Sequence, residues 1–452
     1  MRQPKKPPSL PHILKKFTPD LFRRAAEPEI RTAIDRANDG AWNYEECGYR
    51  APPGLSRDEF WVFVKLSRSP GREPVPLLDG RGRPFTYRLP AAADRILHLI
   101  DQRMAGSIAT SAPELDSPKS RAVYIARSRT EEAIASSLIE GAAVTREDAK
   151  RMLLEKRPPR TEGERMVANN FATIRMVNER RNEPMTPELV CEIQRNLTAG
   201  TLKKPDQAGR FRRADEDISI WDEEENDIVH TPPPAGGLPR RIDALCAFAN
   251  TEDDPSVPGR FTHPVVRAIA LHFWIGYDHP FADGNGRTAR ALFYWSMLRS
   301  GYWLAEYLTI SEIIRGHPKQ YGRAYLDTEI DENDLTYFIM YHLGVLERSL
   351  KAFHEYLARK TAERAPLAAT VSLTQFNLRQ RELLAQALSD ETAVSTYESH
   401  ARTYGVTIPT ARTDLLSLEE LGLLRGNRVG RRFEFVPVRD LGQVLRKLAP
   451  PD

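Results

Sequence analysis

Cysteine is scarce in this chain. Cys47, Cys191 and Cys246 are odd in number and scattered over 452 residues. They can build neither a disulfide framework nor a zinc-finger spacing, so a reducing, cytoplasmic setting is expected. Long apolar runs are also missing. Nothing approaches the roughly 18 apolar residues that would suggest a membrane span, and the basic opening MRQPKKPPSLPHILKK lacks the apolar stretch of a secretion signal. An excess of one charge is absent too: the formal net charge is only +3. A chain-wide nucleic-acid binder is thereby disfavoured, and any basic patch must be local. No internal repeat is visible, and low complexity is confined to the ends. What is present, 41% hydrophobic and 28% charged residues, suits two or three globular domains with proper cores.

Residues 1–40 are Pro- and Lys-rich and then charged, a composition expected of a flexible or loosely packed lead-in. In the following region, WVFVKL, PVPLLDGRGRPFTY and the D-G-R-G turn at 79–82 suggest a small β-containing subdomain. Helical spacing then takes over. TEEAIASSLIEG (130–141) stops at a glycine, and Thr145 opens another helix with Asp148 three residues on. Further helices are expected over about 163–181 and from Thr186-Pro187. ISIWDEEENDIVH (218–230) reads as a hairpin with an acidic tip, closed off by TPPP. Helices resume at 238–250 and, with Thr262 as cap, from Pro264, where Val265, Ile269, His272, Phe273 and Gly276 recur at core spacing. RTARALFYWSMLRS forms the next helix and stops at Gly301; a charged helix follows near 335–363. Residues 376–436 give helix, helix, helix and a short β wing, the order of a winged helix-turn-helix.

Between two of these helices stands HPFADGNGRTAR (279–290), where chemistry concentrates. Gly284, Asn285 and Gly286 sit where a loop enters a helix, so successive N–H groups and the helix dipole favour an anion there. Glycine allows the required backbone angles and a close ligand approach. Arg287 and Arg290 are three apart, expected to share a face and reach one polyphosphate. Asp283 suits Mg²⁺ held by a single carboxylate while phosphates supply other ligands. His279, four residues earlier, is placed to take a proton from an incoming hydroxyl. These parts fit in-line attack by an alcohol on a phosphate of a bound nucleotide.

The string resembles the Fic-domain signature H-x-F-x-D/E-G-N-G-R-x-x-R, matching it at every specified position. The similarity extends through the preceding helix and the 218–230 hairpin back to about residue 90; members of this architecture also carry a small N-terminal region and a C-terminal winged helix. The resemblance implies a mainly α fold: a Fic-type helical core over 126–363 with a β-hairpin flap, an N-terminal associated region over 41–125 and a winged helix-turn-helix over 370–438. It further implies transfer of AMP from ATP, with Mg²⁺, onto a Ser, Thr or Tyr hydroxyl of a target protein or of the chain itself. On this likeness His279 is the general base and Phe281 anchors the loop. Asp283 binds Mg²⁺, Gly284, Asn285 and Gly286 make the anion hole, and Arg287 and Arg290 grip the outer phosphates. A branch that phosphorylates its target departs from the GNGR pattern, which is intact here.

SSLIEG (136–141) satisfies the family's inhibitory pattern S/T-x-x-x-E-G/N, with Ser136 and Glu140 one helical turn apart. A carboxylate at the negative end of a helix is poorly placed on its own and calls for a partner. The resemblance supplies one: Glu140 pairs with Arg290 and blocks productive ATP binding. Related proteins use the same Glu to remove AMP from the target. In the flap, the edge containing Ile228, Val229 and His230 is expected to pair with an extended target segment, the plain alternative being an ordinary hairpin. Tyr321 is a candidate adenine contact or simply a core tyrosine; His230, His263 and His272 read as structural. In the winged helix, Thr410, Arg412 and Thr413 would meet base edges, and Arg425, Arg428, Arg431 and Arg432 would meet phosphates; a protein-binding module is the alternative. A rival function follows, a DNA-binding regulator that uses the Fic domain as a nucleotide sensor. Family members often dimerise, so a homodimer is a further expectation.

Overall fold

The computed structural model describes residues 3–15, 18–105, 118–216, 218–222, 227–252, 261–371, 376–389, 394–429 and 432–448. Two compact units divide the chain, Met1–Lys351 and Ala352–Asp452. Among the described residues the fold is mainly helical, with three two-stranded antiparallel sheets.

The first unit begins with short helices α1 (Leu10–Leu14), α2 (Pro19–Arg24), α3 (Pro28–Asp39), α4 (Tyr44–Tyr49) and α5 (Arg57–Arg68). The loose lead-in expected over residues 1–40 is therefore corrected. Ile13, Leu21, Ile30, Ile34 and Ala37 are buried in one cluster with Cys47 and Phe60–Val64. Helical spacing of Ile30, Ile34 and Ala37 supplies the apolar stripe, and the intervening charges had masked it. WVFVKL is likewise not a strand. Ser56 and Glu59 form a reciprocal capping box that starts α5, so local capping and burial override the β preference of the aromatic and branched run. Next come β1 (Glu73–Leu78) and β2 (Pro84–Tyr87), paired across the predicted turn, and α6 (Ala91–Ile100).

The rest of the first unit is built from α7 (Pro118–Ile139), α8 (Arg146–Leu154), α9 (Glu162–Glu179), α10 (Pro187–Thr198), β3 (Ile220–Asp222), β4 (Asp227–His230), α11 (Leu238–Ala249), α12 (Pro264–Asp278) and α13 (Asn285–Arg299), with the helices named below. The predicted starts hold where a cap is present: Thr145 and Thr186 each accept a hydrogen bond from the third residue on. At α12 the cap is His263, whose ring accepts from the Val265 N–H, and not Thr262. Pairing of α12 with α13 forms the centre. Both are buried on all sides, which explains why their apolar pattern shows no single stripe. Helices α14 (Ile310–Gly316), α15 (Pro318–Ile330) and α16 (Thr336–Val371) follow, the last running past the expected end at 363 and across the unit boundary.

In the second unit α17 (Leu378–Ser389), α18 (Tyr397–Tyr404) and α19 (Ile408–Glu420) precede the hairpin β5 (Leu424–Val429) and β6 (Arg432–Pro437), in the expected order. Helix α19 has Thr407 as its cap, the side chain accepting from the Thr410 N–H. A closing helix α20 (Leu441–Leu448) was not anticipated; its Leu441 and Leu445 join the core around Leu384, Leu415 and Phe435.

Candidate active site

Helix α12 ends at His279, which adopts a left-handed conformation with φ 44° and ψ 58°. For a residue other than glycine this costs on the order of 1–3 kcal/mol and must be held by its surroundings. The holding contacts are specific. His279 N–H donates to the Ile275 carbonyl at 3.0 Å, and its ring Nδ1 lies 3.1 Å from the Gly276 carbonyl. A carbonyl only accepts, so Nδ1 carries the proton and Nε2 keeps a lone pair for base chemistry. Burial pushes the imidazole down to about 4, with the neighbouring His230 adding to that effect while the Gly276 carbonyl and Glu140 oppose it.

The turn after His279 is stapled to itself. Phe281 is fully buried, its ring 5.5 Å from that of Phe211. Asn285 Oδ1 accepts from the Phe281 N–H at 2.9 Å, and its Nδ2 donates to the Phe281 carbonyl at 2.8 Å. The Asn285 side chain is thus committed to closing the loop and is not an anion-hole donor; only its backbone faces the helix start. Gly284 caps α13 with φ 84°. A Cβ there would stand 2.8 Å from Thr198 Cγ2, so both conformation and space demand glycine. The first N–H groups of α13 have no partners within the helix.

The two arginines part company. Arg290 Nε donates to Ser136 Oγ at 2.8 Å, and its Nη2 donates to the Ser136 carbonyl at 3.0 Å and to Glu140 Oε1 at 2.9 Å. The pairing expected between Glu140 and Arg290 is present. The Glu140 carboxylate also lies over the nest: Oε1 would be 2.3 Å from a Cβ on Gly286. Arg287 turns the other way. Nη1 donates to the Leu197 carbonyl at 3.0 Å, and Nη2 reaches Asp283 Oδ2 at 3.5 Å. The expectation that both forks point at one polyphosphate is not met in this conformation, because Arg287 is built into the wall formed by α10.

Asp283 is half exposed, and its Oδ1 accepts from the Gly284 N–H at 2.6 Å. Among the described residues no group of three or more His, Cys, Asp or Glu could hold a metal. A lone exposed carboxylate beside an anion nest fits a Mg²⁺ that arrives with phosphate ligands.

Around this core lie residues that sequence reasoning missed. Gln194 donates to the Asp283 carbonyl at 3.0 Å and accepts from the Gly209 N–H at 2.6 Å. Buried Asp278 takes Arg241 and Trp274 on its carboxylate. Arg212 donates to the His279 carbonyl at 2.8 Å. Gln194 and Asp283, Arg241 and Asp278, and Arg212 and His279 are 89, 37 and 67 residues apart in sequence, so no local spacing betrays these pairs.

On the flap, β3 pairs with β4, and Trp221 and Ile228 remain 54% and 39% exposed; Val229 is half-buried. The edge is not wholly open, since Gln3 Nε2 donates to the Ile228 carbonyl at 3.2 Å and to Asp227 Oδ2 at 3.0 Å. His230 is a tether: Nδ1 lies 2.8 Å from Glu329 Oε2 and Nε2 2.7 Å from the Tyr277 carbonyl. Burial alone would lower its titration, but these two acceptors outweigh burial and raise it. His272 is fully buried, with Nε2 2.9 Å from the Tyr321 hydroxyl, and desolvation holds it neutral. His263 caps α12 and meets Asp101 at 3.1 Å. All three histidines serve structure. Half-buried Tyr321 sits in an aromatic group with Tyr325, Tyr341 and His342.

With this geometry in hand, residues 184–297 match the model of the Fic/DOC family. The chain is 29% identical over 181 residues to the protein adenylyltransferase Fic of Nematostella vectensis, covering 40% of this chain and 36% of that protein. It is 27% identical over 189 residues to the protein of the same name from Aedes aegypti, covering 41% and 32%. The chain thus spans about a third of the length of these curated relatives. A solved Fic family protein from Desulfovibrio desulfuricans aligns over 77% of this chain and 95% of that one, at 21% identity and a TM-score of 0.49. The matched segment contains the whole turn from His279 to Arg290, and the chain carries a Fic domain.

Proposed function

We propose that the protein transfers AMP from ATP to a hydroxyl group of a protein and is held inactive by Glu140. The observation that carries this reading is one contact: Glu140 sits at once on Arg290 and over Gly286. A carboxylate placed where a helix N-terminus and a buried guanidinium converge occupies an anion site. The species it stands in for is a phosphate of the nucleotide. With Glu140 removed, the nest and Arg290 take the phosphates. Asp283 holds Mg²⁺, which neutralises phosphate charge when bound. His279 Nε2 then receives the proton of the attacking Ser, Thr or Tyr hydroxyl, and pyrophosphate leaves. The negative charge brought by the nucleotide raises the affinity of His279 for that proton. Tyr321 belongs to the adenine side of the site, and the edge of β4 at Ile228 and Val229 aligns an extended target segment.

Intact mass of the purified protein after incubation with ATP and Mg²⁺ tests this. One added AMP in Glu140→Gly, above wild type by roughly 5–150-fold, is expected for a coupling of this kind. An unmodified Glu140→Gly protein would overturn it.

In the second unit the exposed Arg425, Arg428 and Arg432 on the β5–β6 hairpin favour a further activity, gripping duplex DNA phosphates as a winged helix. Arg412 and Thr413 are exposed early in α19, whereas Thr410 is half-buried against Thr407; Arg431 lies outside the described residues. Gel shift of random duplex at two salt concentrations tests this, and the same weak retention at both would refute phosphate contacts.

A further inference from the structure

Arg212 lies in the loop between α10 and β3 and is 8% exposed. Its hydrogen-bond partners are carbonyl oxygens. Nε donates to the His279 carbonyl at 2.8 Å, Nη2 donates to the Asp278 carbonyl at 3.3 Å, and the backbone N–H donates to the Pro280 carbonyl at 2.8 Å. Three successive carbonyls at the C-terminus of α12 are thus met by one residue. Nη2 also donates to Pro233, three residues beyond the end of β4. The left-handed turn at His279 leaves these carbonyls without helical partners, and a cation there complements the helix dipole. The planar guanidinium holds its donors on separate nitrogens in a fixed fork, whereas an ammonium gathers its three on one rotatable nitrogen.

We propose that Arg212 is a positioning residue for proton transfer: it locks His279 into its left-handed turn with Nε2 presented to the substrate hydroxyl, and it ties that turn to the base of the flap. This rests on the reading of His279 as the base. Other charged groups act on His279 as well, His230 from β4 and Glu140 from just past the end of α7. Neither of them meets the backbone carbonyl of His279.

The test uses the full chain carrying Glu140→Gly, with Arg212→Lys and Arg212→Ala added singly. Arg212→Ala should lower kcat for AMP transfer on the order of 100-fold, the cost of a misplacement near 1 Å, while KM for ATP stays the same. Arg212→Lys keeps the charge and stem but loses the fork, so it should fall between the two. Nitrogen-15 NMR of the imidazoles should show His279 as the Nδ1–H tautomer in the parent and a mixture in Arg212→Ala. An unchanged kcat, or a raised KM at constant kcat, would overturn the proposal. Should Arg212→Ala fail to fold, the Lys variant decides it by the same criteria. Should no protein transfer AMP, the proposed activity fails separately, and the His279 tautomer alone decides whether Arg212 positions the ring.

Discussion

The turn at 279–290 and the β3–β4 pair both adjoin the end of α12, the latter through His230 on the Tyr277 carbonyl, yet they are built in opposite ways. In the turn, Phe281, Asn285, Arg287 and Arg290 are buried and cross-linked by hydrogen bonds to α7, α10 and their own backbone. In the hairpin, Trp221 and Ile228 face solvent, and the register slips between Ile220 and Trp221. Groups that perform chemistry must be held within a fraction of an ångström, and buried, satisfied polar contacts do that. A surface that receives a partner must keep unsatisfied edge and apolar area until the partner arrives. Arg290 stands between the two designs: it is buried, and in the proposed mechanism its pairing with Glu140 gives way to phosphate.

The comparison breaks most sharply at His279. Replacement by Ala removes the imidazole proposed as the base, so label transfer should fall by about 10²–10⁴-fold, with the melting temperature little changed. A His279→Ala protein as active as its parent would remove the base from the account. Arg287 and Ile228 give the next contrast. Arg287→Ala should destabilise the fold by roughly 1.5–3 kcal/mol through the lost charged hydrogen bond to Leu197, seen as a lower denaturation midpoint. Ile228→Ser should leave stability within about 0.5 kcal/mol but reduce labelling of protein targets on the order of tenfold. The reverse pattern, a stable Arg287→Ala and a destabilised Ile228→Ser, would dissolve the distinction.

The last effect is in pH. Burial holds His279 at about 4, His342 at about 3 and His272 below its ordinary value. The unfolded chain takes up these protons from about pH 6.5 downward. Between that point and the lowered values the unfolded state binds more protons, so stability is full above pH 6.5 and is lost as pH falls. His230 is shifted the other way and loses its contribution as pH rises. Denaturation midpoints should therefore drop from pH 7 to pH 5. His342→Phe should flatten that slope by roughly 1.4 kcal/mol per pH unit; an unaltered slope would mean that His342 titrates normally.

Much of the site was legible because its groups are adjacent in sequence. The Gly-Asn-Gly entrance to α13, the Gly141 stop and the caps at Thr145 and Thr186 follow from local chemistry. Glu140 and Arg290, 150 residues apart, were joined only through resemblance. What stayed hidden needed tertiary context. Arg212 and Gln194 look like surface residues of a polar loop and a helix until α12 and the turn at 279–290 are packed against them. Arg287 and Arg290 have a favourable spacing, but α10 and α7 draw them apart. The N-terminal helices and α5 show that capping and burial decide a short aromatic run more than its β preference does.

Label transfer separates the possibilities most directly. Purified wild type, Glu140→Gly and His279→Ala are each given Mg²⁺ with ATP radiolabelled at the α-phosphate or, in parallel, at the γ-phosphate. Protein-bound label from the α-phosphate alone, strongest in Glu140→Gly and absent in His279→Ala, is the predicted result. Label from the γ-phosphate alone, or none in any protein, would contradict a braked AMP transferase.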